Sequence, residues 1–446
     1  MKPSALALTV TFGIVAVGTA IGFLAGMRRK MDLEQWTTGG RGFGTLIMYL
    51  LLAGETYTTF SFLGASGWTY SRGGPALYIL AYLTLAQVFA FFILPAIWEV
   101  GKKYGLQTQS DFFLQRYGNK YLAALVSLLG IAALLPYLQL QIVGLGIIVS
   151  TASFDAISRP AAMAISVALL AAVVFASGVR AVAWVSILKD GLMVMAMLAV
   201  GIGVPYLHFG GIGKMFAALA QARPSHLTMP GATANLGHTW FVTTVLLSTF
   251  GYYMWPHAFG AIFTARTKDT VRRNAVTMPF YGLSLAFVFL VGFTAVLALP
   301  GLKDGDMAML AIVRQSYPPW LLGAIGGAGA LTAMVPASIF TLTSATLFAK
   351  NFYRPLLAPT MTDEQVGKLA RAMVLVIGAL SLYLATSNST TIVALLLLGY
   401  AIVNQFLPGV VLGLFWPRAC AAAVFAGIAR SEEHTSELQS HLNLVC

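Results

Sequence analysis

The chain has 446 residues, of which 58% are apolar and only 9% are charged, and its formal net charge is +12. Its mean hydropathy of +0.80 excludes a water-soluble globular domain of this length. The positive charge does not indicate a nucleic-acid partner, because basic residues collect in the loops between membrane spans. The composition predicts an all-α polytopic membrane protein whose partner is the lipid bilayer.

Apolar runs long enough to cross a bilayer, about 20 residues each, follow one another along the chain. The run at 5–26 is too long for the apolar core of a signal peptide and ends just before Arg28, Arg29 and Lys30. It predicts an extra N-terminal transmembrane helix within residues 1–30. The predicted spans are 5–26, 45–70, 76–98, 121–151, 160–179, 182–206, 239–263, 276–299, 319–349, 369–386 and 391–415.

The second span, 45–70, has a polar middle that a plain spanning helix does not tolerate. A charge facing lipid at the bilayer centre costs at least ~2.5–3.5 kcal/mol, so Glu55 is expected to face a cavity or a partner. A helix that breaks here exposes backbone groups, which is tolerated only where they line a polar site. The polar residues are Gly54, Glu55, Thr56, Tyr57, Thr58 and Thr59.

The seventh span, 239–263, carries the second predicted break. Pro256 lacks a backbone donor, and Gly251 and Gly260 loosen the helix on either side of it. Two broken helices five spans apart are typical of transporters built from inverted repeats. We therefore predict two five-helix repeats, at 44–206 and 239–415, that form a core of ten helices after the extra N-terminal helix.

The end of the sequence changes character abruptly. Residues 417–429 begin a further apolar helix, and RSEEHTSELQSHLNLVC follows at 430–446. This polar tail resembles translated sequencing-adapter sequence, so we expect it to be non-native and the helix before it to be cut short. The two cysteines, Cys420 and Cys446, predict neither a disulfide framework nor a metal site, and no cofactor is expected.

Basic residues are distributed unevenly between the two sides of the predicted spans. One side carries Lys102, Lys103, Arg116 and Lys120 together with the basic run at 266–273, whereas the other side carries few. Because cytoplasmic loops carry the excess of lysine and arginine, this asymmetry places the N-terminus outside. The predicted location is the inner or plasma membrane.

The chain contains the motifs GGR at 39–41, FLGASGWTYSRGGPALY at 62–78, GLQTQSDFFLQRYG at 105–118, SGVRAVAWVSILKD at 177–190, WPHAFGAIFTAR at 255–266 and ATLFAKNFYRP ending at Pro355. These motifs resemble those of the sodium:solute symporter family, over a stretch from about residue 10 to Pro417. The sequences at 54–68 and 333–338 look most like its monocarboxylate permease branch, which takes lactate, pyruvate and related acids. The resemblance implies a LeuT-like inverted-repeat core, symport by alternating access and no enzymatic activity.

A short monocarboxylate needs a polar seat for two oxygens and a small apolar pocket for its tail. The break at 54–59 offers free backbone N–H groups, hydroxyls and the positive end of a half-helix. The alternative is that these threonines bond to their own helix or join helices. Likewise, the aromatic residues of the second break could simply pack around Pro256; these are Tyr252, Tyr253, Trp255 and His257. The predicted substrate-binding residues are Gly54, Glu55, Thr56, Tyr57, Thr58, Thr59, Tyr137, Gln141, Tyr253, Trp255 and His257.

The family resemblance implies a sodium ion held between backbone carbonyls of the first broken helix and a Ser/Thr pair on the eighth core helix. This chain has Val335 and Pro336 at that pair, with Thr332 and Ser338 about one turn to either side. The family's aspartate on the fifth core helix corresponds to Ser186. These departures put sodium binding through the usual ligands in question.

Lys189 lies three residues after Ser186, hence on the same helical face, and Asp190 follows it. In one interpretation its ammonium replaces the sodium ion, and the carrier is coupled to protons. In the other it extends to the membrane surface and only anchors the helix. The predicted ion-coupling residues, for Na+ or H+, are Glu55, Ser186, Lys189, Asp190, Thr332 and Ser338.

The sequence thus predicts a secondary active symporter that imports a small monocarboxylate with a sodium or proton gradient. Two alternatives stay open: a carrier of another solute, such as pantothenate, proline or a sugar, and the membrane sensor domain of a signalling protein. No oligomeric state is predicted.

Overall fold

The computed structural model describes residues 2–26, 38–176, 179–233, 236–387 and 390–430, with backbone alone at 172–176 and 179–181. All but the first residue of the predicted non-native tail lies outside the described residues.

The described residues fold almost entirely as helices. Short π-helical turns at Phe60–Gly64 and Leu347–Tyr353 continue two of them. In chain order the helices are α1 (Pro3–Gly26), α2 (Thr45–Thr56), α3 (Ala65–Arg72), α4 (Tyr78–Tyr104), α5 (Gln109–Tyr117), α6 (Lys120–Ala152), α7 (Arg159–Ala176), α8 (Val179–Phe209), α9 (Ile212–Ala222), α10 (His238–Gly251), α11 (Pro256–Ile262), α12 (Lys268–Gly282), α13 (Leu285–Ala298), α14 (Ala308–Ser316), α15 (Pro319–Thr346), α16 (Arg354–Leu357), α17 (Asp363–Ser387), α18 (Ile392–Val403), α19 (Phe406–Phe415) and α20 (Ala421–Arg430).

Within the described residues, seven helices are long and apolar enough to cross a membrane, or nine if each bent helix pair counts as one span. The bent pairs are α2 with α3 and α18 with α19. Helix α7 and the pair α10 and α11 occupy the other two predicted span positions. The chain is therefore an all-helical, multi-pass membrane protein.

The first break separates α2 from the helical turns that lead into α3, and the two halves meet at 57°. Helix α2 ends because Tyr57 adopts an extended conformation, with φ −92° and ψ 98°. The Thr58 hydroxyl then accepts a hydrogen bond from the Phe60 N–H at 3.1 Å. This bond caps the next helical segment in the way that threonine caps helix N-termini.

The second break lies between α10 and α11, at Tyr252–Trp255. Trp255 is extended, with φ −59° and ψ 131°, as expected for a residue that precedes proline. Pro256 is then the first residue of α11, a position whose N–H would have no helical partner in any case. The sequence prediction of two broken helices is therefore correct at both places.

A further bend, which the sequence analysis does not predict, divides the last predicted span into α18 and α19 at 40°. The Asn404 side chain donates hydrogen bonds to the carbonyl oxygens of Leu247 and Tyr400, at 2.9 and 2.8 Å. Helix α12 begins at Lys268, eight residues before the predicted start of the eighth span at residue 276. Its first turns are polar, so hydropathy detects only the apolar part.

The extra N-terminal helix α1 packs tightly on α15, the most buried of the spanning helices. A Cβ atom added at Gly323 would lie 2.5 Å from the Ala7 carbonyl oxygen, so only glycine permits this approach. The Thr11 hydroxyl donates to the Gly323 carbonyl oxygen at 3.0 Å. Small residues and hydroxyls are the usual means by which membrane helices join.

A polar cluster fastens the loop before α5 to the π-helical turn after α15. The Lys350 ammonium donates to Asp111 Oδ2 at 2.7 Å and to Gln107 Oε1 at 2.9 Å. The Asn351 amide donates to Asp111 Oδ1 at 2.8 Å, and the Gln107 and Thr108 N–H groups donate to Asp111 Oδ2. We call these five residues the Asp111 cluster. We call the end of the molecule on which this cluster lies the basic face.

Candidate functional site

The backbone carbonyl oxygens of the first break are occupied by a lysine. Lys189 on α8 is completely buried, and its ammonium donates to the carbonyl oxygens of Gly54 at 3.0 Å and Tyr57 at 2.9 Å. It also forms an ion pair with Asp190 Oδ1 at 3.0 Å. Burying an ammonium costs several kcal/mol unless such partners surround it. A fixed positive charge thus lies against the carbonyls of the break.

Helix α12 completes the surroundings of this ion pair. The Tyr281 hydroxyl donates to Asp190 Oδ1 at 3.2 Å, and the Tyr57 hydroxyl donates to the Tyr281 carbonyl oxygen at 2.6 Å. The Tyr57 and Tyr281 rings meet edge to face, with centroids 4.1 Å apart. Lys189 therefore does not extend to the membrane surface, which was one of its two sequence-based interpretations.

Three hydroxyls predicted for ion coupling donate hydrogen bonds to their own helices. Ser186, Thr332 and Ser338 each donate to the carbonyl oxygen four residues earlier, at 2.8–2.9 Å. This is the usual way for a hydroxyl in a membrane helix to satisfy its hydrogen. Glu55 forms no ion pair with Lys189, whose ion-pair partner among the described residues is Asp190. Of the predicted ion-coupling residues, Lys189 donates to the break carbonyls, and Ser186 also lies at the break, because a Cβ atom added at Gly54 would lie 2.5 Å from its Oγ.

The three threonine hydroxyls of the first break have different partners. Gln141 Oε1 accepts from the Thr59 N–H at 3.2 Å and from the Thr59 hydroxyl at 2.8 Å, which ties the break to α6. Thr58 caps the following turn and is buried. Thr56 donates to the Leu52 carbonyl oxygen of its own helix at 2.7 Å and shares a hydrogen bond with the Tyr252 hydroxyl of the second break. The alternative of local bonding therefore holds for Thr56 and Thr58, and that of helix joining holds for Thr59.

Gly144 sets how closely α6 approaches the first break. A Cβ atom added there would lie 2.7 Å from the Thr59 Cβ atom. We expect Gly144→Ala to displace Thr59 and to reduce transport at least ~10-fold, since a displacement of about 1 Å in a binding site can cost ~100-fold. Gly13→Ala is the matched control, because nothing lies within 4 Å of its added Cβ. Equal uptake rates for both variants in proteoliposomes would contradict this role of Gly144.

A narrow cavity lies between the two breaks, and we call it the central cavity. Its wall is mostly aromatic: Trp255 lies 4.7 Å from Tyr137 and 5.4 Å from Tyr400 between ring centroids. The Tyr253 hydroxyl donates to Gln87 Oε1 on α4 at 2.9 Å. The lining residues are Leu52, Glu55, Thr56, Tyr82, Tyr137, Tyr252, Tyr253, Trp255, His257, Ala258 and Tyr400.

A second cavity, the basic-face cavity, extends from the same place toward the Asp111 cluster. Glu55 and His257 line both cavities. No lysine or arginine is among the described residues that line either one. The residues that line the basic-face cavity are Glu55, Gln107, Thr108, Pro256, His257, Gly260, Ala261, Ile339, Leu342, Thr343 and Thr346.

Several cavity residues were not in the predicted site. Tyr82 and Tyr400 lie on regular helices far from both breaks in the sequence, and Tyr252 was counted only with the aromatic residues of the second break. The sequence signal that could have identified Tyr82 and Tyr400 is a tyrosine well inside an otherwise apolar span. Of the predicted substrate residues, the structure places Gly54, Tyr57, Thr58, Thr59 and Gln141 behind the cavity wall.

The fold and this site define a class of protein. Two broken helices that meet at a polar cavity inside the membrane are the arrangement of inverted-repeat, LeuT-like secondary transporters. The chain belongs to the sodium:solute symporter family, whose model matches residues 36–429. It is therefore a secondary active solute symporter and not an enzyme.

Similar proteins agree with this class. The chain is 45% identical to the uncharacterized symporter YhjB of Bacillus subtilis (strain 168), over 92% of this chain and 83% of that protein. It is 29% identical to a monocarboxylate transport permease protein of Rhizobium johnstonii, over 93% and 85% of the two chains. A Na+-coupled sialic acid symporter in a substrate-bound, outward-open state has the same fold. Its TM-score is 0.78 at 17% identity, over 94% of this chain and 88% of that one.

Proposed function

We propose that this symporter imports a small monocarboxylate with a proton gradient, and that the Lys189 ammonium takes the place of a bound sodium ion. The observation that carries the proposal is the contact of Lys189 Nζ with the carbonyl oxygens of Gly54 and Tyr57. The similarity to a monocarboxylate permease supports the substrate class. In the proposed orientation the basic face is cytoplasmic and the N-terminus lies outside.

A sodium ion and the Lys189 ammonium do not fit the same carbonyls. At a separation of about 3 Å and an effective dielectric constant of about 20, two positive charges repel by ~5 kcal/mol. The lysine already supplies the positive charge that offsets the exposed carbonyl dipoles of the break. A sodium ion could therefore bind these carbonyls only after displacing the lysine, and we propose the proton gradient as the source of energy.

The central cavity supplies the substrate seat in this proposal. The Thr56 and Tyr252 hydroxyls share a hydrogen bond at its wall, and Thr56 donates its own hydrogen to the Leu52 carbonyl oxygen at 2.7 Å. Tyr252 is therefore the donor that can turn from Thr56 to a substrate carboxylate. The rings of Tyr137, Trp255 and Tyr400 enclose a small apolar tail. A narrow site with this mostly aromatic lining accepts acids with a short carbon chain better than large polar solutes.

A second candidate substrate follows from the charge of the cavity. Glu55 is the acidic residue among its described lining residues, and no lysine or arginine accompanies it. Tyrosine and tryptophan faces beside a carboxylate are a common setting for an ammonium group, which each well-placed ring attracts by ~0.5–2 kcal/mol. A zwitterion or small organic cation would therefore also suit this wall.

Uptake of radiolabelled lactate into proteoliposomes tests the function, with sodium and proton gradients imposed separately. We expect accumulation with the proton gradient alone. Unlabelled pyruvate, pantothenate, proline, glucose and a quaternary amine would compete in parallel assays, and strong competition by pyruvate alone is the expected pattern. Accumulation that depends on sodium would overturn the coupling proposal, and competition by the amine alone would favour the second candidate.

A further inference from the structure

Glu55 and His257 are the two ionisable side chains that the cavities share. Each is about 5% exposed. Glu55 Oε2 and His257 Nδ1 are buried and have no hydrogen-bond partner within the described protein. Buried polar atoms are normally paired, so unpaired ones at a cavity wall indicate a ligand or a transferred proton.

We propose that the coupling proton binds to the Glu55 carboxylate in the central cavity and leaves through His257 toward the basic face. The inference rests on the proposed import of a monocarboxylate, and it assigns the proton to a residue other than Lys189. Lys189 then acts as a fixed cation, and Glu55 carries the charge that changes during the transport cycle.

The charges around Glu55 favour this division of roles. On α8 the nearby ionic groups are Lys189 and Asp190, which offset each other as an ion pair at 3.0 Å. The other titratable groups that line the central cavity are His257 and five tyrosines: Tyr82, Tyr137, Tyr252, Tyr253 and Tyr400. No cation among the described lining residues is therefore available to hold both an ionised Glu55 and an anionic substrate.

Protonation of Glu55 removes the repulsion between its carboxylate and an anionic substrate. Two carboxylates in one site do not both remain ionised, because their mutual repulsion raises the affinity of one of them for a proton. A neutral Glu55 can donate its O–H to the substrate carboxylate, which turns repulsion into a hydrogen bond. Proton and anion therefore bind together, one of each per cycle, and no net charge is moved by the substrate pair.

Release of the proton from Glu55 toward the basic face passes through His257. The Glu55 O–H bond breaks and an N–H bond forms at His257 Nδ1, directly or through one water, to give an imidazolium. The imidazolium then returns the proton to water in the basic-face cavity. Glu55 is again a carboxylate, and it repels the substrate anion into the same cavity.

The test compares two transport modes in Glu55→Gln, which mimics the neutral acid. Exchange of internal for external lactate needs no net proton movement, whereas accumulation does. We expect exchange within about threefold of the wild-type rate at pH 6 and the same rate at pH 8, while proton-driven accumulation falls at least ~100-fold. The wild-type exchange rate is expected to fall between pH 6 and pH 8. Glu364→Gln, at an exposed carboxylate on α17, is the matched control.

Each outcome decides one proposal. Accumulation by Glu55→Gln with a proton gradient would overturn the role of Glu55 and leave proton-driven import by the wild-type protein intact. Loss of exchange in Glu55→Gln with an unchanged melting temperature would also overturn it, because Glu55 would then serve substrate binding alone. His257→Gln is expected to keep exchange and to slow accumulation at least ~10-fold, and undiminished accumulation would remove His257 from the path. Failure of the wild-type protein to take up any acid would instead refute the proposed function.

Discussion

Lys189→Ala is expected to abolish proton-driven uptake, with a loss of at least ~100-fold, and to destabilise the protein by about 3–5 kcal/mol. The change leaves the Asp190 carboxylate buried without its cation at 3.0 Å. It also removes the Lys189 ammonium, which among the described contacts is the hydrogen-bond donor from α8 to the carbonyl oxygens of Gly54 and Tyr57. The uptake rate and the thermal unfolding of purified protein measure the two effects.

Lys189→Ala also tests whether the lysine ammonium takes the place of a sodium ion. If the ammonium stands in for a sodium ion, the space that Lys189→Ala vacates is expected to bind sodium, and NaCl should then raise its melting temperature more than choline chloride does. Lys368→Ala, which removes an exposed cation on α17, should show neither effect. Full proton-driven uptake by Lys189→Ala, or equal stabilisation by both salts, would contradict the assigned role.

The second large effect is expected at the Asp111 cluster. Asp111→Asn is predicted to lower the free energy of unfolding by about 3 kcal/mol at neutral pH, because it leaves the Lys350 ammonium without its carboxylate at 2.7 Å. Asp363→Asn breaks an ion pair at a carboxylate that is 77% exposed, so a change below about 0.5 kcal/mol is expected there. Thermal or denaturant unfolding in detergent compares the two variants.

The pH dependence of this effect has a definite sign. Burial alone would raise the pKa of Asp111, but Lys350 and the hydrogen bonds from Gln107 and Asn351 hold it below its ordinary value. A carboxyl group with a lowered pKa stabilises the fold above the unfolded-state pKa of about 4, and this stabilisation is lost as the pH falls through the folded-state pKa. The stability gap between wild type and Asp111→Asn should therefore narrow in acid, and a gap that widened would exclude this explanation.

Both breaks could be predicted from the sequence because each depends on a local chemical signal. Glu55 is a carboxylate at mid-span, and Pro256 lacks a backbone donor, so hydropathy and backbone chemistry alone locate them. The family resemblance placed Ser186 near the ion position, and the helical repeat put Lys189 on the same face. A cation at the first break was then one of two open interpretations of this lysine. The two breaks themselves need only the chain order and backbone chemistry.

The details that escaped prediction depend on helix rotation and on contacts far apart in the chain. The Asn404 side chain bonds to Leu247 on another helix, and no local pattern indicates the resulting bend. The hydroxyls of Thr332 and Ser338 donate to carbonyl oxygens of their own helix. Helical periodicity does not indicate whether a hydroxyl donates to its own helix or to a neighbouring one.

The lysine at the first break also has a consequence for the surroundings in which the carrier works. A cation joined to the chain by covalent bonds has no dissociation equilibrium, so its occupancy of the Gly54 and Tyr57 carbonyls does not depend on the salinity of the medium. A diffusible ion would occupy the same position in proportion to its concentration. The covalently attached ammonium therefore contacts the carbonyls of the broken helix at low and at high salt concentration alike.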